Sequence, residues 1–245
     1  MAFPKVVKVR QKFPRPLVED VEAAIRDEFE KEEISSRIQS GMRVALTAGS
    51  RGIAQIDVVL RSLVRVLKER GAEPFIVPAM GSHGGATAEG QVEVLRSLGV
   101  TEEFCEAQIL SSMEVVEIGH TGRGVPVYMD RHASKADGVV IVNRIKAHTD
   151  FRSKVESGLL KMASIGLGKH DAALALHGYG VTGIRDYMVE VGEEVFRSGR
   201  ILFGVGIVEN AYDEPSRIEA IAPENVRERE EELLEEYMGF MPALP

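Results

Sequence analysis

Residues 43–80, RVALTAGSRGIAQIDVVLRSLVRVLKERGAEPFIVPAM, decide the fold. RVALTAG is a short apolar run of strand length. From Ile53 apolar residues recur at helical spacing until Gly71 ends the pattern, and EPFIVPAM is a second short apolar run. Strand, amphipathic helix and strand in this order predict a β-α-β unit with parallel strands.

The same rhythm extends toward the C-terminus. TAEGQVEVLRSLG reads as a helix with Thr87 as its N-cap. SMEVVEIG and VPVYMD are short and polar enough for a hairpin or edge strands, and ADGVVIVNRI has the unbroken apolar character of a buried strand. A helix in IRDYMVEVGEEVFRSG, a strand in ILFGVGIVE and an acidic helix from about Pro223 complete the chain. The expected fold is one α/β domain over residues 1–245: a doubly wound, Rossmann-like, mostly parallel sheet with helices on both faces. Ligands in such folds bind beyond the carboxyl ends of the strands.

Composition narrows the function. The 245 residues include 30 Lys and Arg against 38 Asp and Glu, a net charge of -8, which argues against a nucleic-acid surface. A single cysteine, Cys105, excludes an internal disulfide framework and a Cys-based zinc cluster, and is expected to be a buried apolar residue. The start, MAFPKVVKVRQKFP, lacks the apolar stretch of a secretory signal, and no run is long enough to span a membrane. A cytoplasmic protein without membrane or nucleic-acid partners is expected.

Locally the charge reverses. Between Asn143 and His170 stand Arg144, Lys146, Arg152, Lys154, Lys161 and Lys169, offset only by Asp150 and Glu156, so a small anion could be held there. Three loops follow predicted strands: AGSRGIAQ (48–55), MGSHGGAT (80–87) and NRIKAHTDF (143–151). They present Arg51, His83, and the group Arg144, Lys146 and His148. Loops at one edge of a sheet can converge on a site although they are far apart in sequence.

Each candidate has a bland reading beside the chemical one. The glycines around His83 let the backbone turn sharply near a ligand, where an imidazole can exchange protons, or His83 is simply a turn residue bonded to a carbonyl. Asp150 could orient His148 or close an Asx turn. Lys161, in VESGLLKMASIG, either snorkels to water or sits partly buried with a lowered pKa, ready for an imine or amide linkage. His177 is a metal donor or a capping histidine, and no HxH, HExxH or nearby carboxylate accompanies it. GLGKHDA (166–172) holds two glycines of a dinucleotide fingerprint without the third and follows no clear strand; P-loop and GxSxG motifs are absent.

Taken in order, GSRGIA, GSHGG, HTDF with SGLLKM, and ALH resemble the lactate racemase family. Its members use a nickel-pincer nucleotide, pyridinium-3-thioamide-5-thiocarboxylic acid mononucleotide carrying nickel, to racemise or epimerise 2-hydroxy acids. The resemblance implies that His83 and His148 are the two catalytic histidines, and that Lys161, after its Ser-Gly pair, bonds the cofactor's pyridinium ring. It implies that His177, sixteen residues later, completes nickel coordination. The cofactor's own sulfur and carbon donors would explain why His177 has no protein partner. Arg51 matches the arginine of the family's early Asp-x-Thr-Arg motif and would bind the substrate carboxylate. One histidine would take the hydroxyl proton while the C2 hydride moves to the cofactor, and return of the hydride to the other face would invert the centre. Proteins that mature the cofactor are implied partners.

Two departures stand out. Ala48 replaces the aspartate of the early motif, which points to a divergent branch whose substrate need not be lactate. Family members also continue into a second α/β domain, so residues 1–245 are expected to correspond to the N-terminal domain alone, with the second absent. A non-catalytic nucleotide- or anion-binding module is the alternative, and a nicotinamide-linked oxidoreductase built on GLGKHDA is a third reading.

Overall fold

The computed structural model describes residues 6 and 8–242; parts of the N-terminal stretch MAFPKVVKVRQKFP and of the C-terminal end fall outside that range. Asp20 opens helix α1 (Val21–Phe29) by accepting the amide of Ala23 on its side chain. Then come strand β1 (Arg43–Ala48), helix α2 (Ile56–Glu69) and strand β2 (Glu73–Pro78), the expected β-α-β unit. Helix α2 begins a few residues after the apolar pattern does, because Gln55 takes a left-handed conformation, φ 56°. Thr87 caps helix α3 (Ala88–Ser97), its hydroxyl accepting the Gly90 amide at 3.0 Å.

Strands β3 (Val115–His120) and β4 (Pro126–Asp130) form an antiparallel hairpin that stays outside the main sheet. Strand β5 (Gly138–Arg144) is followed by a basic loop and one α-turn, α4 (Leu159–Lys161), which widens into a π-helical turn at Met162–Gly166. Helix α5 (Lys169–His177), a second π-turn (Gly183–Tyr187) and helix α6 (Met188–Arg197) lead to strand β6 (Ile201–Glu209). Strand β7 (Pro215–Ile221) and helix α7 (Val226–Phe240), the acidic helix, end the fold.

The sheet order is β2-β1-β5-β6-β7, parallel except for β7, which runs antiparallel to β6. Alternation along the strands divides the core. Val44, Leu46, Val140 and Val142 pack with Ile25, Phe29, Leu60 and Leu63 from α1 and α2, whereas Ala45, Val139 and Ile141 pack with Leu159, Leu160, Val191 and Leu233 from α4, α6 and α7. Strand β1 therefore leaves toward one face and β5 toward the other, and their carboxyl ends flank the topological switch point.

Helix α1 and strand β7 were not visible in the sequence. The stripe of α1, Val21, Ile25 and Phe29, lies inside an acidic run whose charge hides it. Strand β7 carries Ile218, Ala220 and Ile221 as buried apolar positions interrupted by Arg217 and Glu219, too weak a pattern to stand out. Among the described residues no helix is long and apolar enough to cross a membrane.

Candidate functional site

Beyond the ends of β1, β2 and β5 lies a cavity of about 300 Å³. Arg51, His83, His148, Lys161 and His177 all line it, together with Lys146 and Asp150. Arg51 comes from the loop after β1, His83 from the loop after β2 and His148 from the loop after β5. Because β1 lies between β2 and β5 in the sheet, the two imidazoles approach from either side of the Arg51 loop.

His83 shares a hydrogen bond between Nδ1 and the Ser50 hydroxyl at 2.5 Å. Partial desolvation against the cavity wall, then the charges of Arg51 and Lys161, hold its pKa below that of a free imidazole. The loop turns tightly enough to need glycine: Gly84 has φ +66° and lies against the backbone of Gly90 in α3.

His148 is fixed from several sides. Its ring stacks on Phe151 with centroids 4.3 Å apart, and Nδ1 accepts the backbone amide of Asp150 at 3.2 Å. Asp150 therefore orients the imidazole through its main chain rather than its carboxylate. The nearly buried Glu156 accepts the amides of His148 at 2.6 Å and Ser153 at 2.9 Å, tying both sides of the loop to one carboxylate. Burial, then the nearby Lys161 charge, depresses the His148 pKa.

Lys161 ends the single turn α4, and the π-turn that follows brings Met162, Ile165 and Gly166 to the same wall. Single π-turns inside helices are frequent at functional sites. Burial is the largest cause of its lowered pKa, followed by the charges of Arg51 and Lys146, and brings it from 10.5 to about 8. Burial, Arg144 and Arg51 also pull down the pKa of Lys146. His177 closes α5 at the exposed edge of the cavity.

The basic residues are not equivalent. Arg144 pairs with the buried Glu209, whose other oxygen accepts the Ala54 amide at 2.8 Å, so its charge is spent on bracing the Arg51 loop against β6. Among the described residues Arg51, Lys146 and Lys161 have no carboxylate within ion-pair distance, which leaves the cavity positive.

Ser50, Glu156 and Glu209 were not singled out from sequence. Their contacts cross 33, 8 and 65 positions, and the two glutamates resemble ordinary surface acids in a list of residues. GLGKHDA follows a π-helical turn and not a strand, so it lacks the setting of a dinucleotide fingerprint. Among the described residues no group of three or more His, Cys, Asp or Glu is placed to hold a metal ion.

The structure is similar to that of the lactate racemase apoprotein from Thermoanaerobacterium thermosaccharolyticum, with a TM-score of 0.64 at 15% identity over 88% of this chain. That likeness is one of fold, and the chain spans 55% of the length of that protein. Comparison of the sequence with curated proteins gave no match. Residues 6–181, a stretch containing all five candidate residues, match the lactate racemase N-terminal domain, and the chain belongs to that family.

Proposed function

We propose that this chain forms the cofactor-holding and acid/base part of a 2-hydroxy-acid racemase or epimerase that works with a nickel-pincer nucleotide. The observation that carries the reading is the convergence of one guanidinium, two imidazoles, a low-pKa amine and a further imidazole on one cavity. These residues fit the group. An amine with a pKa of about 8 is free base in useful amount near neutrality, as acylation requires, and His177 offers one neutral donor to a metal that brings its other ligands with it. When bound, the nucleotide supplies a reversible hydride acceptor.

The chain's own residues would do the rest. Arg51 binds the substrate carboxylate, and the uncompensated charge of Lys146 favours the anionic substrate and cofactor. His83 and His148 carry protons to and from the substrate hydroxyl. Burial and the nearby cations lower both pKa values, which favours the neutral rings. In neutral His148 the bond from Asp150 occupies Nδ1, so the ring presents Nε2–H as a hydrogen-bond donor to the substrate oxygen and would give up a proton only from its protonated form. The Ser50 hydroxyl can give or take a hydrogen bond, so His83 is free to start as the base. Proteins that mature the cofactor are the proposed partners.

The test is the intact mass and nickel content of the protein made in a host that synthesises the nucleotide. The expected result is an adduct mapping to Lys161 with nickel equimolar to the chain, lost in Lys161→Ala and with less nickel retained in His177→Ala. Covalent loading that persists in Lys161→Ala would sink the assignment.

A further inference from the structure

GLGKHDA has a use unrelated to nucleotides. Lys169 is fully buried, with its backbone in the left-handed region at φ 56°. Its ammonium donates to the carbonyl of Pro78 and to Oε1 of Gln91 at 3.1 Å, and lies 3.2 Å from Oδ2 of Asp130. Gln91 and Asp130 are also fully buried. Two of the ammonium's N–H groups thus meet acceptors inside the protein, and Asp130 Oδ2, which accepts no hydrogen bond, faces it as the counter-charge.

Those two acceptors lead to one place. Pro78 is the last residue of β2, where the chain turns toward His83. Gln91 passes the connection on, its amide nitrogen donating to the carbonyls of Gly81 at 2.9 Å and His83 at 3.3 Å. Asp130 is itself anchored, since its Oδ1 accepts the amides of His132 at 2.7 Å and Ala133 at 3.0 Å. Both ends of the segment 79–83 are therefore tied to a single buried ion pair, and Gly81 is tied again by its amide to the Gly166 carbonyl at 3.2 Å.

A buried ion pair is a poor means of stabilising a core, because desolvation offsets most of its attraction and an apolar filling often serves as well. Left-handed backbone at a lysine adds strain. Both features make sense if the pair serves geometry. We infer that Lys169, Gln91 and Asp130 are positioning residues for His83, a buried latch that sets the place of the imidazole in the cavity without touching it. Its purpose rests on reading His83 as an acid/base in the proposed reaction; the latch itself is a property of the free chain.

The test compares the full chain with two variants. Gln91→Met is nearly isosteric and leaves the Lys169–Asp130 pair intact. The double variant Lys169→Met with Asp130→Asn removes the pair without stranding one charge. The readouts are the His83 ring titration followed by NMR, assigned with His83→Gln, and amide exchange over residues 79–84. In both variants the His83 pKa is expected to rise toward that of a free imidazole as the ring gains water, while the His148 titration stays put. Exchange at Gly81 and His83 is expected to speed up about fivefold to tenfold, the effect of one or two lost hydrogen bonds on a local opening. Wild-type titration and exchange in folded Gln91→Met would overturn the inference and reduce the network to a core ion pair. If the double variant does not fold, Gln91→Met alone decides. No readout needs cofactor or substrate, so failure of the racemase reading would show separately, as a chain that never loads.

Discussion

The backbone amide of Asp150 donates to Nδ1 of His148 at 3.2 Å, so the neutral imidazole keeps its one proton on Nε2. The two histidines of the cavity are therefore unlike: one has its tautomer set by the main chain, the other faces a hydroxyl that can adapt. Nitrogen-15 NMR at pH 8 should show His148 with an acceptor-type Nδ1 and a protonated Nε2. A spectrum with the proton on Nδ1 would reverse the donor role given to this ring.

Lys161 should behave as an unusually acidic ammonium. Its pKa of about 8 instead of 10.5 gives it more than about 100 times the free-amine fraction of an ordinary lysine at pH 7. Labelling with an amine-reactive reagent should show half-maximal reactivity near pH 8 at this position. Arg51→Met and Lys146→Met should each raise the midpoint, because each removes a cation that opposes protonation. A midpoint unmoved by either change would mean that burial alone sets the value.

Glu230 of α7 is fully buried, accepts the Leu160 amide at 2.9 Å, and so holds the turn that carries Lys161. Burial raises its pKa from 4.5 to about 7. The folded chain then keeps a proton that the unfolded chain has released, so this contribution to stability is fully present below pH 4.5 and is lost as pH rises through 7. A shift of this size corresponds to about 3 kcal/mol. Denaturation curves of Glu230→Gln should be flatter between pH 5 and 8, and the variant should be the more stable form at pH 8. Parallel curves for the two proteins would contradict this.

Glycine to alanine inside a helix ordinarily stabilises by up to about 1 kcal/mol. At Gly90 the sign should invert, because an added Cβ would stand 1.9 Å from the carbonyl oxygen of Gly84. Gly90→Ala should cost about 1–3 kcal/mol, the range for overpacking, and should disturb the His83 resonance. The neighbouring Gly85 has open space around it, so Gly85→Ala should carry only the torsional cost of φ +67° and leave His83 unmoved. Thermal melts and one histidine spectrum of each variant decide the point.

The legible part of this protein is what repeats locally. The apolar alternation of β1, β2, β5 and β6 and the stripe of α2 gave the parallel sheet, and the loops at its carboxyl edge gave the place of the site. Contacts made across long separations were invisible. Arg144 reads as one more site cation until Glu209, 65 positions away, neutralises it. Glu230 reads as one acid among many until it reaches Leu160 from 70 positions away. Lys169 was counted in the basic patch, although it faces Asp130 in the core and adds nothing to the cavity. Chemistry held by packing leaves no local pattern.

The π-turn at Met162–Gly166 has a consequence in helical phase. Lys161 and His177 are sixteen positions apart, which along an unbroken α-helix would separate them by about 24 Å and turn them about 160° from each other. They share a cavity because the wide turn and the left-handed Lys169 reset the phase between them. The site is thus written partly in a residue count. Deleting one residue between 162 and 168 would swing α5 by about 100° and carry His177 off the cavity, although every candidate side chain would still be present. Chains of this fold that differ in length here can keep the motifs and lose the pairing, so that spacing is a sharper mark of a working site than the residues themselves.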